Sequence, residues 1–361
     1  MGCRQTGKST LIRALCPDLE INLSDEIVFL QHLKDPALLK EEVKGRNSVF
    51  IDEIQRVPSL LNTIQFLIDR GNAPRFLLTG SSARKLRRGK ANLLPGRIHT
   101  FELGPLCHAE LGDRLDVNRA LTRGMLPGIY LDGSEEWKKT LRSYSATYLK
   151  EEIQAESLTR NLEGFSRFFD VVASGSGNFI DFSKVAALSY VERSSVKRYF
   201  EILSDTLIVH SLDPFVAGGK KRLIQHPRYY FFDVGVLNAA VGGFDVSNDR
   251  KGNLFEHFML QQIVSTAKAF DLDYRVSTYR TSHNAEVDFI LEIGGEVFAI
   301  EVKATKNVGK SDLTGLKSFK DYFGKKHRAI VAYMGETARE LDGIVILPWA
   351  KALENIFGHA G

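Results

Sequence analysis

The sequence predicts an α/β protein assembled from several parts, and three observations carry that reading. In the first third, apolar strand-like runs alternate with helical patterns, as in an α/β layer fold. Between 179 and 233 a short helix, a turn, a second helix and two strand-like runs follow one another. The C-terminal stretch mixes one long helix with several strands, which makes a second α/β unit. A chain of 361 residues suits two or three domains of about 100–150 residues each.

Taken in order, strands are expected from Glu20 to Leu23, from Ser48 to Asp52 and from Arg75 to Thr79. Helices are expected from Ser9 to Leu15, from Asp35 to Lys44 and from Ser59 to Arg70; Pro58 stands where the last should start and Gly71 where it should stop. Glu110 to Phe169 reads as mostly helical. Glu135 to Ser157 is one helix or a broken pair, with Trp137, Leu141, Tyr144 and Tyr148 on one side. Ser183 caps a short helix, Leu188-Ser189-Tyr190 turns the chain, and a second helix runs from Arg193 to Leu203. Strand-like runs at 207–210 and 229–232 flank Gly218-Gly219-Lys220-Lys221-Arg222. A helix from Gly252 to Ala269 then leads into strands at 273–278, 286–292, 296–303 and 329–333, with a helix from Ser311 to Phe323 before the last.

Composition removes several classes. Hydrophobic residues make up 43% and charged residues 25%, a balance that excludes extensive disorder. Cys3, Cys16 and Cys107 cannot build a disulfide framework and lack metal-ligand spacing, so a reducing compartment is expected. The first residues show no apolar signal core, and no apolar run nears the roughly 20 residues that span a membrane. A cytoplasmic location with no membrane partner follows as the expectation. The net charge of +4 is compatible with nucleic acid without pointing to it. The histidines are scattered, with no pair at helical ligand spacing, which argues against zinc.

Gly2-Cys3-Arg4-Gln5-Thr6-Gly7-Lys8-Ser9 fits GxxxxGK[ST], the phosphate-binding loop. Gly2 and Gly7 let backbone N–H groups turn inward around phosphate oxygens, Lys8 reaches the terminal phosphates, and Ser9 offers its hydroxyl to Mg²⁺. Such a loop can be a mere turn, so its partner decides. Val49-Phe50-Ile51-Asp52-Glu53 is an apolar strand ending in two carboxylates: Asp52 to hold Mg²⁺, Glu53 to activate the attacking water. Phe76-Leu77-Leu78-Thr79-Gly80-Ser81-Ser82 is another strand ending in hydroxyls, one of which, with Thr79 as the candidate, would sense a γ-phosphate. Arg97 would supply charge to a transition state in its own or a neighbouring subunit.

These segments, extended to Thr10, to Asp52-Glu53-Ile54-Gln55-Arg56-Val57-Pro58 and to Gly96-Arg97, resemble the predicted prokaryotic ATPases of the AAA superfamily. Those proteins carry a C-terminal domain of unknown function. Phe231-Phe232-Asp233-Val234-Gly235, and Arg280-Thr281 with Ala285-Glu286-Val287-Asp288-Phe289, are similar to that second domain. The resemblance spans nearly the whole chain. It implies that Gly2, Gly7, Lys8, Ser9, Thr10 and Asp52 bind ATP with Mg²⁺, and that ATP is hydrolysed; the preference for ATP over GTP rests on it alone. There are two departures. Cys3 replaces the usual proline, and only Met1 precedes Gly2, where such a loop ordinarily follows a central strand. The expectation is a start lying inside a longer reading frame.

Helix, turn, helix and hairpin between 171 and 235 is the order of a winged helix, with Arg193, Lys197 and Arg198 on the second helix and Lys220, Lys221 and Arg222 on the wing as DNA contacts. Val196, Tyr199, Phe200 and Leu203 would face the core. Further on, Asp288 and Glu301-Val302-Lys303 form D-x₁₂-E-x-K on two apolar strands, with Glu256 on the preceding helix. This resembles the restriction-endonuclease-like core, in which Glu256, Asp288 and Glu301 would hold Mg²⁺ and Lys303 would orient the attacking water. Two residues apart, Glu301 and Lys303 share one face of a strand. An ionisable residue inside an apolar strand needs a reason, which sets these apart from an ordinary charged hairpin.

The fold expected is therefore a P-loop NTPase sheet of AAA type lacking its first strand (1–115), a helical lid (116–170), a winged helix (171–235) and a restriction-endonuclease-like α/β domain (236–361). The function expected is an ATPase that switches or regulates its C-terminal domains, DNA and a second copy of the chain being possible partners. The alternative is an ATP-regulated DNA-binding protein or nuclease working through Asp288, Glu301 and Lys303.

Overall fold

A computed structural model describes residues 1–71, 73–80, 96–148, 161–216 and 226–358. The chain divides into two compact units, one of residues 1–104 with 205–208, the other of residues 105–204 with 209–361.

The first unit is built on a parallel sheet, β1 (Leu19–Asn22), β2 (Ser48–Asp52) and β3 (Arg75–Leu78), in that order. Parallel neighbours need crossovers. These are supplied by α2 (Glu26–Lys34) and α3 (Leu38–Glu42) after β1, and by α4 (Leu60–Asp69) after β2. The helix expected over 35–44 is thus shorter, and α2 was not anticipated. Its start is set by Asp25, whose carboxylate accepts from the N–H groups of Ile27 and Val28. Ile21, Leu23, Val49, Ile51, Ile54, Leu60, Leu61 and Ile64 close the core. Because the strands are parallel, their carboxyl ends lie together, and the glycine-bounded loop that α1 (Lys8–Arg13) follows sits there with Asp52 and Thr79. Beyond the sheet, the Met1 amino group donates to Phe101 O, and Met1 O accepts from Leu103 N at 2.8 Å. Bonding one residue on both sides to partners two apart is the pattern of a parallel ladder.

The second unit begins with short helices, α5 (His108–Leu111), α6 (Val117–Arg123), α7 (Pro127–Tyr130) and α8 (Trp137–Ser143), the last running into a single π turn at Tyr144–Tyr148. Trp137, Leu141 and Tyr144 are buried, as their spacing predicted. Then come α9 (Leu162–Ser174), α10 (Phe182–Ser189), α11 (Arg193–Asp205) and an antiparallel pair, β4 (Val209–Leu212) with β5 (Arg228–Phe231). The cap of α10 is Asp181, not Ser183: the carboxylate accepts from Ser183 N and Lys184 N, a stronger acceptor placed one residue before the helix. The first strand lies two residues later than its apolar run predicted. Lys220, Lys221 and Arg222 fall outside the described residues.

After α12 (Val234–Ala240) and the long α13 (Asn248–Ala269), a mixed sheet takes the order β10-β11-β9-β8-β7-β6. Its strands are β6 (Tyr274–Arg280), β7 (Glu286–Ile293), β8 (Glu296–Lys303), β9 (Arg328–Tyr333), β10 (Arg339–Leu341) and β11 (Ile344–Pro348). β6, β7 and β8 form an antiparallel meander, β8, β9 and β11 run parallel, and β10 turns back on β11. α14 (Thr314–Phe323) sets Leu316 and Phe319 into the core with Tyr279, Val287 and Val331, and α15 (Trp349–Phe357) packs Trp349 edge-on to Phe258 of α13. β10, β11, α12 and α15 were not anticipated. No helix of the described residues is long and apolar enough to cross a membrane.

Candidate functional site

In the first unit the loop wraps around its own lysine. Gly7 is left-handed (φ 89°), and at Gly2 a Cβ would stand 2.4 Å from Leu103 O, so only glycine fits either position. Lys8 Nζ donates to Gly2 O at 2.8 Å and Cys3 O at 2.5 Å. Burial pushes its ammonium below the usual lysine range, against the pull of Cys3, Glu53 and Asp52. Ser9 Oγ donates to both oxygens of Asp52, at 2.9 and 2.8 Å, and Thr79 Oγ donates to the same carboxylate. Thr79 Oγ in turn accepts from Glu53 N at 3.2 Å.

A hydroxyl and a carboxylate in direct contact are hard oxygen donors, the set that suits Mg²⁺. Glu53 itself has φ 59°, a left-handed conformation uncommon outside glycine, and its carboxylate accepts from Gln55 Nε2. Thr10 is exposed on α1. Arg97 is held by Asp69 at 2.8 Å at the end of α4, with both side chains partly in solvent. Ser81 and Ser82 lie outside the described residues.

The second unit gathers a different cluster. α13 carries Glu256, β7 carries Glu286 and Asp288, and β8 carries Glu301 and Lys303. The β7–β8 ladder is paired as far as Phe289 and Ile300; beyond it Asp288 Oδ2 accepts from Val302 N at 2.8 Å, a side chain standing in for a ladder carbonyl. Lys303 Nζ donates to Glu301 Oε1 at 2.8 Å. Among these carboxylates lies Arg228 of β5. Its Nη2 is 3.1 Å from Glu256, its Nη1 is 3.1 Å from Glu286 and 3.8 Å from Asp288, and its Nε donates to Gly177 O at 2.7 Å. Tyr230, two residues along the same strand, donates its hydroxyl to Glu256.

Burial pushes all four carboxylates up. For Glu256 burial is followed by repulsion from Asp288, and together they lift it to about 8. Carboxylates outnumber the cations beside them, which favours the protonated form of Glu256. Among the described residues no three His, Cys, Asp or Glu side chains stand together as metal ligands.

Residues 1–112 match the family model described as an AAA domain. The chain resembles AAA-type ATPases. Residues 114–247 and 251–352 match two domains of unknown function, DUF8612 and DUF4143. Uncharacterized proteins of Mycobacterium bovis and Mycobacterium tuberculosis are each 28% identical over 359 residues, covering 96% of this chain and 78% of the relative. A solved structure of protein VC1899 from Vibrio cholerae aligns over 86% of this chain and 89% of its own, at 13% identity and a TM-score of 0.23.

In the AAA-like unit, Gly2, Gly7, Lys8, Ser9, Asp52, Glu53 and Thr79 come together as their motifs predicted, and Arg97 stands apart from that bonded set. In the second unit Glu256, Asp288, Glu301 and Lys303 also meet. Arg228 and Glu286 went unseen. Arg228 opens the run Arg228-Tyr229-Tyr230-Phe231-Phe232, so the criterion that singled out Asp288, a charge within an apolar strand, applied to it equally. On α11, Val196, Tyr199, Phe200 and Leu203 are buried while Arg193, Lys197 and Arg198 are exposed.

The raised Glu256 makes a prediction about pH. The folded state holds a proton that the unfolded chain releases near the ordinary glutamate value of roughly 4.3. The associated stability is fully present below that value and is lost as pH rises towards about 8. Both tryptophans, Trp137 and Trp349, lie in the second unit, so their fluorescence follows its unfolding. In EDTA, the midpoint should fall from pH 5 to pH 8 less steeply in Glu256→Gln than in the parent; equal slopes would remove Glu256 from the pH dependence.

Proposed function

We propose that the chain binds and hydrolyses ATP with Mg²⁺, and that the nucleotide state of its AAA-like unit regulates the rest of the protein. The observation that carries this reading is the Ser9–Asp52–Thr79 contact beside the half-buried Lys8. In it, Lys8, now bonded to the carbonyls of Gly2 and Cys3, would give its ammonium to phosphate oxygens, and Ser9 and Asp52 would hold the metal. Mg²⁺ supplies neutralisation of the phosphate charge. Glu53 would be the base that orients water, its carboxylate held here by a hydrogen bond from Gln55. Thr79 ties the Asp52 carboxylate to the Glu53 backbone, so metal ligand and base are positioned by one hydroxyl.

Calorimetry with MgATP and a phosphate-release assay test this on the full chain. Glu53→Gln should keep its Kd within about threefold while turnover falls about 100-fold, the scale of a lost general base. Binding without phosphate release in the parent, unchanged by Glu53→Gln, would leave a nucleotide-dependent binding module.

A second reading is favoured by the meeting of Glu256, Asp288, Glu301 and Lys303. Here the second unit is a restriction-endonuclease-like domain that acts on DNA, the helices α10 and α11 with the β4–β5 pair being a winged helix that contacts it. Glu256, Asp288 and Glu301 would hold a divalent metal, and Lys303, fixed by Glu301, would orient the water. Loss of a DNA cleavage activity in Asp288→Asn, with ATP turnover intact, would support it; no cleavage in the parent with Mg²⁺ or Mn²⁺ would sink it.

A further inference from the structure

Arg228 is 7% exposed and Glu301 8%, so both are buried polar side chains that must find partners. The match is incomplete. Glu301 Oε1 takes the Lys303 ammonium, but Glu301 Oε2 is buried with no hydrogen-bond partner. Arg228 Nη1 reaches Glu286 and Asp288 as a charge, without an aligned hydrogen bond to either. The guanidinium stacks near Phe179, with its carbon 5.0 Å from the ring centroid, and is anchored through Nε to Gly177 O. Four carboxylates (Glu256, Glu286, Asp288, Glu301) therefore face three cations, Arg228, Lys303 and Arg280, the last 3.6 Å from Glu286.

We propose that Arg228 is a resident counter-cation that holds Glu256, Glu286 and Asp288 apart from a divalent metal, so that this site takes up metal only when Arg228 leaves it. The proposal rests on the reading of these carboxylates as a metal site. A planar guanidinium carries one charge and spreads its partners around a fork, whereas a divalent ion carries two and draws oxygens inward to a point. The two cannot share the space between Glu256 and Asp288. Arg228 also explains why no three of these carboxylates stand as a ligand set among the described residues: the side chain lies between them. With Arg228 gone, the ligands that Glu256, Asp288 and Glu301 offer are all oxygens, including the unpartnered Glu301 Oε2, which suits Mg²⁺ or Mn²⁺ over softer metals.

The test is Mn²⁺ binding by electron paramagnetic resonance on the full chain without nucleotide. All variants carry Asp52→Asn, so that the phosphate loop contributes no site. Arg228→Gln should bind one Mn²⁺ at least about tenfold more tightly than its parent, because a neighbouring positive charge has been removed. Arg228→Lys, which keeps that charge, should stay close to the parent, and adding Asp288→Asn to Arg228→Gln should abolish the gained site. Mn²⁺ should raise the unfolding midpoint of Arg228→Gln and leave the parent's unchanged. If Arg228→Gln folds only with Mn²⁺ present, the metal has taken over the role of the guanidinium, as proposed; if it stays unfolded with Mn²⁺, the proposal is overturned. Equal Mn²⁺ binding by parent and Arg228→Gln would overturn it while leaving the metal reading intact. Binding by neither would remove both.

Discussion

Lys8→Ala is expected to weaken MgATP binding by about 100- to 10,000-fold, because two charge-assisted hydrogen bonds to phosphate, each worth about 1.5–3 kcal/mol, are lost together. The described residues show how this lysine is placed. Lys8 lies inside its own loop, bonded to Gly2 O and Cys3 O, and it is the cation that Cys3, Glu53 and Asp52 all act on. Arg4 also acts on Lys8, but as a second positive charge, and Arg13 is engaged with Glu20 at 2.7 Å and lies 3.9 Å from Asp52. The substitution should also loosen the loop slightly, since two carbonyls lose their donor. Calorimetry gives the affinity directly. An unchanged Kd would mean that nucleotide, if it binds, does so away from this loop, and the proposed ATPase reading would fall.

Asp233→Ala should lower the stability of the second unit by about 3–5 kcal/mol, which for a unit of this size moves the midpoint by roughly 6–20 °C. Asp233 is fully buried and caps α12. It accepts from Val236 N at 3.0 Å, from Met125 N at 2.7 Å and from Gln261 Nε2 at 3.1 Å. One carboxylate thus joins the loop before α7, the start of α12 and the middle of α13. Burial pushes it above the usual aspartate range, and the hydrogen bonds from Met125, Val236 and Gln261 pull the other way. Alanine would leave three donors buried without acceptors. Asp233→Asn retains one acceptor oxygen but sets an amide group against donors, so a smaller loss is expected. Thermal unfolding followed by tryptophan fluorescence measures both; a midpoint within about 2 °C of the parent would show that the cap does not hold these segments together.

Asp233 also shows where sequence reasoning stops. The run Phe231-Phe232-Asp233-Val234-Gly235 stood out as part of a resemblance, but its neighbours Met125 and Gln261 are remote along the chain and nothing local names them. Ser183 has the residue type of a cap, but Asp181 takes that place because its carboxylate reaches two N–H groups at once. α2 was missed because it presents no clean apolar stripe: Ile27, Leu30 and Leu33 are exposed and His32 is buried. β2 and β8, by contrast, were placed to the residue, since short apolar runs bounded by charge or turn residues have few other solutions.

The sequence by itself marked the loop proposed to hold phosphate and the residues that would act there. Glycines at fixed positions, a lysine and a hydroxyl beside them, and a carboxylate closing an apolar strand are local requirements, and local requirements are written in residue order. It also marked Asp288, Glu301 and Lys303, because charges inside apolar strands are conspicuous, and set Glu256 of the preceding helix beside them. Only the tertiary structure decided what those carboxylates face. Arg228 comes from a strand well before them in the chain, and the cost of burying charge, rather than any spacing rule, drew the guanidinium into their midst.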